Sequence, residues 1–246
     1  MHFKIASVLT IISFVSIPFS GFSQQLTRFY EHAKVGYKDN QNQIIVNPTY
    51  DAGSDFVDGV ALVILDRKRG FINAEGKEVI PLQFDDAGMF VNGLASVKYA
   101  NKYGYINLAG KWEIQPMFEN SFSFSEGLAR VQMHGKWGFI NNHGEIVIPC
   151  QFDNAFDFSQ GLTVVQEKGK FHYINQKGLS NFDKQFDMAT SFTKEKTALV
   201  AIGEKQFLIN QSGKIIKKIE VVVDEEEMER EEAQKERERE QRKNKQ

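Results

Sequence analysis

The chain has 246 residues, of which 41% are hydrophobic and 25% charged, and its formal net charge is −2. These values are ordinary for a globular protein and do not select a fold class by themselves. The single cysteine, Cys150, excludes an intrachain disulfide and any cysteine-based zinc or iron–sulfur site. The near-neutral charge argues against nucleic-acid binding, which relies on clustered Lys and Arg.

Residues 1–23 have the layout of a secretory signal peptide. A basic start at Lys4 is followed by an apolar run over residues 5–17 and then by small residues that end at Ser23. This pattern predicts cleavage before Gln24 and export to the periplasm or the extracellular space. The alternative is a retained membrane anchor, but Pro18 and the polar residues after it interrupt a run that would need about 20 apolar residues to span a bilayer. We therefore expect no stable transmembrane segment in the mature chain.

Residues 24–223 are predicted to form six tandem copies of a unit about 34 residues long. A series of glycines and a series of phenylalanines both keep this period. The glycines are Gly36, Gly70, Gly104 and Gly138, and the phenylalanines are Phe84, Phe118, Phe152 and Phe186. Series that share one period indicate a repeat architecture, in which each unit buries its apolar face against the next unit. We expect both series to be structural.

Each unit is predicted to be a three-stranded antiparallel meander. In the best-preserved unit, residues 128–133 and 137–140 are rich in aromatic and β-branched residues and too short for helices. The turn over residues 141–144 begins with Asn141, which can bond its own backbone two residues on, and ends with Gly144, which can supply a positive φ. A connector with two aromatic residues then leads to the next unit.

The same unit carries a recognisable motif. It reads Lys136-Trp137-Gly138-Phe139-Ile140-Asn141, then Ile148-Pro149, then Phe152-Asp153. This pattern resembles the WG repeat of bacterial β-repeat proteins, which is named for the Trp-Gly pair, and the resemblance covers about residues 26–219. It implies an all-β repeat architecture and no particular activity, and it supplies no catalytic residue.

We expect an all-β fold in which the six meanders form an open, solenoid-like array. The alternative is a closed, propeller-like ring. Propeller blades usually have four strands, and the three strands predicted for each unit therefore favour the open array.

Residues 224–246 are predicted to be a charged tail with ten acidic and seven basic residues. Opposite charges four residues apart, such as Glu226 and Arg230, are pairs that stabilise an exposed helix. The tail is therefore predicted to be either helical or disordered. The sequence leaves open whether it binds a partner.

No catalytic, cofactor or metal site is predicted. One carboxylate follows the first connector aromatic residue in each of five units. These are Asp51, Asp85, Glu119, Asp153 and Asp187. Calcium needs six to eight oxygen ligands from neighbouring residues, whereas these acids are spread one per unit, so we expect them to cap the connector turns. An active site needs one asymmetric set of residues, and we infer that this repetitive chain is not an enzyme.

The sequence favours a non-catalytic protein-binding or scaffold module in the bacterial cell envelope, with an envelope protein as its partner. The alternative is a carbohydrate- or peptidoglycan-binding protein that stacks sugars on exposed aromatic side chains. The candidate stacking residues are Tyr103, Tyr105, Trp112 and Trp137. A hydrolase is the weakest alternative, because it would rest on an isolated pair of acids.

Overall fold

The computed structural model describes residues 26–220. The predicted signal peptide and the predicted charged tail lie outside these residues. Residues 26–220 form six small antiparallel sheets that follow one another along the chain, with no helix among them.

The six sheets contain 22 strands. The strands of the first three sheets are β1 (Thr27–Glu31), β2 (Lys34–Lys38) and β3 (Ile44–Tyr50); β4 (Ala52–Gly53), β5 (Val60–Leu65), β6 (Lys68–Asn73) and β7 (Glu78–Phe84); and β8 (Asp86–Ala87), β9 (Leu94–Tyr99), β10 (Lys102–Asn107) and β11 (Trp112–Phe118). The strands of the last three sheets are β12 (Asn120–Ser121), β13 (Ala129–Met133), β14 (Lys136–Ile140) and β15 (Ile146–Phe152); β16 (Asn154–Ala155), β17 (Leu162–Glu167) and β18 (Lys170–Asn175); and β19 (Met188–Ala189), β20 (Thr197–Ile202), β21 (Lys205–Asn210) and β22 (Ile215–Ile219).

The prediction of three strands per unit is wrong for most of the chain, because the connector adds a fourth strand to the next sheet. In the third sheet, the connector strand β8 pairs with β9 through Asp86 with Lys98 and Ala87 with Val97. The connector backbone needs hydrogen-bond partners, and the first long strand of the next unit offers a free edge. Four of the six sheets have four strands, so strand number no longer favours an open array over a closed ring.

The tight turns follow the chemistry predicted from the sequence. The hairpin between β13 and β14 turns at His134 and Gly135, which both have positive φ values of 51° and 72°. In the next turn, the side-chain oxygen of Asn141 accepts hydrogen bonds from the backbone N–H groups of His143 and Glu145, each at 3.0 Å, and Gly144 has a φ of 81°. Two-residue turns with positive φ match the twist of the paired strands.

The repeated glycine of β2, β6, β10 and β14 lies where the neighbouring strand bulges. Between the pairs Trp137–Phe152 and Phe139–Ile148, Gly138 alone faces three residues of β15. A Cβ atom on Gly138 would lie 2.6 Å from the carbonyl oxygen of Ile148, which is backbone that cannot easily move aside. The glycine is therefore required by the close approach of two strands.

The hydrophobic core is divided into five clusters, and each cluster is shared by two neighbouring sheets. The four repeated phenylalanines are at most 2% exposed; they are Phe84, Phe118, Phe152 and Phe186. The four inner sheets are therefore covered on both faces. This arrangement is typical of repeat proteins, in which stability comes from contacts between neighbours.

Candidate functional site

A polar groove of about 390 Å³ lies where the third sheet meets the fourth. We call it the Ser96 groove. Its lining residues are Asp86, Ala87, Gly88, Ser96, Tyr103, Asn120, Ser121, Phe122 and Ser123. They come from the two connectors that carry β8 and β12 and from the long strands β9 and β10, so residues of two neighbouring units meet there.

The groove exists because Ser96 is small. Five other units place a larger side chain at the same repeat position. From the first sheet to the sixth, the residues at this position are Arg28, Leu62, Ser96, Arg130, Val164 and Leu199. Gly88 opens the groove further, since the equivalent residue of the next unit is Phe122. The repeat pattern did not predict this site, although the size of the residue at one repeat position was a signal that could have found it.

Hydrogen bonds fix the polar groups of the groove. The hydroxyl oxygens of Ser96 and Ser121 are 2.5 Å apart, and both residues are buried. The Tyr103 hydroxyl donates to Oδ2 of Asp86 at 2.8 Å, and Arg69 approaches Oδ1 of the same carboxylate at 3.3 Å. Burial, together with the bond to Asp86, raises the pKa of Tyr103 to about 12. Tyr103 is therefore a neutral donor at physiological pH.

The four candidate stacking residues do not lie together. Tyr103 lines the Ser96 groove. Trp112 is half-buried and packs edge-on against Phe84, and Trp137 is half-buried beside Phe122. Tyr105 is fully buried, and its hydroxyl donates to the carbonyl oxygen of Phe122 at 2.8 Å.

Tyr105 therefore cannot stack on a ligand, and the prediction that it is an exposed aromatic residue is corrected. Burial also raises the pKa of its phenol. The physical reason is the array itself: neighbouring sheets cover both faces of the strand that carries Tyr105, so neither face is left to solvent.

The repeated carboxylates join neighbouring sheets. Asp153 contacts the ammonium group of Lys136 in the fourth sheet and accepts the backbone N–H of Lys168, at 2.9 Å, in the fifth. The contact with Lys136 is the first cause of the lowered pKa of Asp153. The other acids make related contacts and also have lowered pKa values; they are Asp51, Asp85, Glu119 and Asp187. Four of the five carboxylates accept a backbone N–H of the hairpin in the next unit rather than only capping the connector turn, and Asp85 contacts Lys68 of its own sheet.

Other chemistry is sparse in residues 26–220. Within them, no three His, Cys, Asp or Glu side chains lie close enough together to hold a metal ion. Burial raises the pKa of the Cys150 thiol, which favours the unreactive protonated form. None of the described residues forms a helix that is long and apolar enough to cross a membrane.

A wider depression of about 810 Å³ lies on the sixth sheet. Its walls include Phe207 and Ile219, and they end at Glu220, the last described residue. The Ser96 groove is the better candidate, because it lies between two units inside residues 26–220, whereas the depression lies where the described residues end.

The comparison with protein families decides the class of the chain. The family described as "WG containing repeat" matches four consecutive segments, residues 36–68, 70–103, 103–137 and 137–171. The chain belongs to this family. The matched segments include the strands that form the Ser96 groove, so the groove is part of the WG-repeat array itself.

This WG-repeat protein is also similar in fold to proteins of known structure. A eukaryotic initiation factor is 10% identical, with a TM-score of 0.56 over 82% of this chain and 66% of that one. Hsv2 of Kluyveromyces lactis, with loop 6CD replaced by a Gly-Ser linker, is 13% identical, with a TM-score of 0.47 over 68% of this chain and 64% of that one. A protein of unknown function from Bacteroides caccae is 12% identical, with a TM-score of 0.32 over 80% of this chain and 94% of that one.

The chain thus spans just under two thirds of the first two structures, and at these identities only the likeness to the initiation factor carries weight, for the fold alone. No curated protein sequence matches the chain.

Proposed function

We propose that this WG-repeat protein is a non-catalytic protein-binding module, which acts as a scaffold in the bacterial cell envelope. The observation that carries the proposal is the Ser96 groove, where hydroxyl, amide and carboxylate groups of two units are held in place by stacked sheets. Fixed polar groups in a concave site favour recognition of a partner. Tyr103 and Asp86 bond each other there, and the groove contains neither the histidine nor the cysteine of a nucleophilic catalytic set.

The test is affinity capture from envelope extract with residues 24–246. Ser96→Leu places in the groove the side chain that the second and sixth units have at this position, which are Leu62 and Leu199. We expect this variant to lose the partner protein. Gln83→Leu is the matched control, because it adds the same side chain at an exposed position outside the groove. Equal capture by both variants would remove the groove from the proposal.

Export is part of the proposal. It rests on residues 1–23, with cleavage before Gln24, and it would place the mature chain in the periplasm or outside the cell. Cell fractionation followed by N-terminal sequencing tests it. A mature chain that begins at Gln24 in the envelope fraction is the expected result, and an uncleaved chain in the cytoplasm would contradict it.

The larger organisation is also proposed. We take residues 24–223 as six repeat units in an open array and residues 224–246 as a charged tail. The hydrophobic clusters support an open array, since the five clusters within residues 26–220 join consecutive sheets and none joins the sixth sheet to the first. Small-angle X-ray scattering of the mature chain distinguishes the two arrangements, because a closed ring would give a smaller radius of gyration than an open array of the same units.

A second candidate function is binding of a carbohydrate or of peptidoglycan. It is favoured by the hydroxyl-rich lining of the Ser96 groove and by Tyr103, which is half-buried there. The test is retention on a panel of immobilised glycans that includes peptidoglycan fragments. This candidate requires retention of the wild-type chain and loss of binding in Ser96→Leu, and failure of the wild type on every glycan would eliminate it.

A further inference from the structure

Two units contain an arginine that reaches the next connector from the position of Ser96. In the first sheet, Nη1 of Arg28 donates to the carbonyl oxygen of Gly53 at 2.8 Å, and Nε donates to Asp55 at 2.8 Å. In the fourth sheet, Nη1 of Arg130 donates to the carbonyl oxygen of Ala155 at 2.7 Å. The same repeat position thus directs a guanidinium to the same backbone acceptor twice.

The fourth sheet shows how well this place suits a guanidinium. The side chain of Arg130 is only 15% exposed, and its Nε lies 2.8 Å from Oδ1 of Asp157. Its guanidinium carbon lies 3.5 Å from the ring centroid of Phe122 and 5.6 Å from that of Trp137. A carbonyl, a carboxylate and two aromatic rings together form a guanidinium site.

In the third sheet, the repeat position of these arginines holds a serine. Ser96 stands where Arg28 and Arg130 stand, and Ser121 is the repeat equivalent of Gly53 and Ala155. Both serines line the Ser96 groove. Of the two aromatic rings, only the farther one has an equivalent, since Tyr103 corresponds to Trp137 whereas Gly88 corresponds to Phe122.

The acidic residue of the groove occupies a different repeat position from that of Asp157. The equivalent of Asp157 is Ser123, but Asp86 now contributes an acidic group, where the fourth sheet has Asn120. Two cations lie close by: Arg69 pairs with Asp86 at 3.3 Å, and the ammonium group of Lys98 is 5.5 Å from the centroid of the Tyr103 ring. These two cations weaken the electrostatic attraction of the groove for a further positive charge. The carbonyl and hydroxyl groups of the groove remain as hydrogen-bond acceptors.

We propose that the Ser96 groove binds an arginine side chain of the partner protein, whose guanidinium takes the place that Arg130 fills in the next unit. This inference rests on the proposed protein-binding function and names the group that is recognised. A single arginine in a half-open groove gives a weak contact, so the partner must supply further contacts along the array.

The experiment titrates residues 24–246 with the peptide acetyl-Gly-Gly-Arg-Gly-Gly-amide and follows backbone amide signals by NMR. Saturable shifts of the Ser96, Ser121 and Ser123 signals are expected. The same peptide with citrulline in place of arginine keeps the shape and loses the charge, and we expect it to bind at least tenfold more weakly. Equal binding of the two peptides would overturn the proposal.

Ser96→Arg is the decisive variant. The new side chain should reach the carbonyl oxygen of Ser121 as Arg130 reaches that of Ala155, and should thereby abolish the peptide shifts. Gln83→Arg is the control, because it adds the same side chain at an exposed position outside the groove, and it should bind the peptide like the wild type. Asp86→Asn is a second variant that keeps the shape of the groove, so a loss of peptide binding there supports the proposal even if Ser96→Arg folds poorly. Wild-type affinity in both groove variants would contradict it.

The outcomes separate this inference from the proposed function. If Ser96→Leu loses the partner protein while the arginine peptide causes no shifts at Ser96, the module binds a protein but not through arginine. If soluble peptidoglycan fragments shift these signals and the arginine peptide does not, the groove is a glycan site. Either result overturns the arginine proposal.

Discussion

Phe118 illustrates how single side chains hold neighbouring units together. It is 1% exposed and lies in a cluster with Ile114 of its own sheet and with Val131 and Ile140 of the next sheet. A repeat unit of this size cannot bury its apolar face alone. The phenylalanine therefore stabilises the junction between two sheets rather than the interior of one.

Phe118→Ala should lower the free energy of unfolding by about 3–5 kcal/mol, because it removes a buried aromatic ring and leaves a cavity. Chemical denaturation followed by circular dichroism measures this change. Lys136→Ala is the comparison, since Lys136 is exposed and its ion pair with Asp153 is solvated, and it should cause a much smaller loss. Similar losses in the two variants would show that the junction core has been assigned wrongly.

At the scale of the strand, the repeated glycine and a proline occur together. The outer strands β3, β7, β11 and β15 each contain a proline and bulge opposite the glycine of the neighbouring strand. Proline cannot donate a ladder hydrogen bond and protects a free sheet edge. In the sixth sheet, Phe207 replaces the glycine, β22 has no proline, and Phe207 pairs directly with Lys218. The glycine is needed only where the bulge is present.

Gly138→Ala should therefore destabilise the fourth sheet by about 1–3 kcal/mol, the usual cost of overpacking. The added methyl group would lie 2.6 Å from backbone atoms of Ile148 and Cys150. Thermal unfolding measures the effect. Gly88→Ala is the control, because a Cβ atom there meets only ordinary contacts at 3.7 Å, and its midpoint should stay close to that of the wild type. A wild-type midpoint for Gly138→Ala would show that the bulge relaxes without cost.

The strands and turns show what the sequence could predict. The turn that begins at Asn141 and ends at Gly144 depends only on residues next to each other in the chain, so the hairpins were predictable. The connector strand β8 was not, because two residues show no periodicity and their hydrogen-bond partners belong to the next unit. Tyr105 was misjudged for a related reason: the sequence pattern of one strand does not reveal that neighbouring sheets cover both of its faces. The Ser96 groove depends on comparing one position across all units.

At the scale of the whole molecule, hydrophobic packing and ion pairs both hold neighbouring sheets together. Five hydrophobic clusters join the six sheets, and a carboxylate spans the same kind of junction. Asp187, for example, contacts Lys170 in the fifth sheet and accepts the backbone N–H of Gly203 in the sixth at 2.8 Å. A change that loosens every junction at once should therefore destabilise the entire array, whereas a single substitution weakens one junction.

Acidification is such a change. Lys136 is the main cause of the lowered pKa of Asp153, and the other four junction acids are shifted in the same direction. A carboxylate whose pKa is lower in the folded chain contributes stability above its unfolded pKa, about 3.9 for Asp and 4.3 for Glu, and loses this contribution as the pH falls through those values toward the folded pKa. The melting temperature of the wild type should thus fall as the pH drops below about 4.5, by a modest amount because these carboxylates are exposed to solvent.

Asp153→Asn tests whether the junction acids cause this fall. At pH 7 the variant should melt below the wild type, since Asn cannot pair with the ammonium group of Lys136. The difference should narrow as the pH falls below about 3.9, the pKa of an unfolded Asp, because the unfolded wild-type chain then binds a proton that the paired carboxylate of the folded chain resists. Glu75→Gln removes a carboxylate from an exposed turn and should follow the wild type at every pH. A gap between Asp153→Asn and the wild type that stays constant with pH would mean that Asp153 stabilises the junction by its shape and not by its charge.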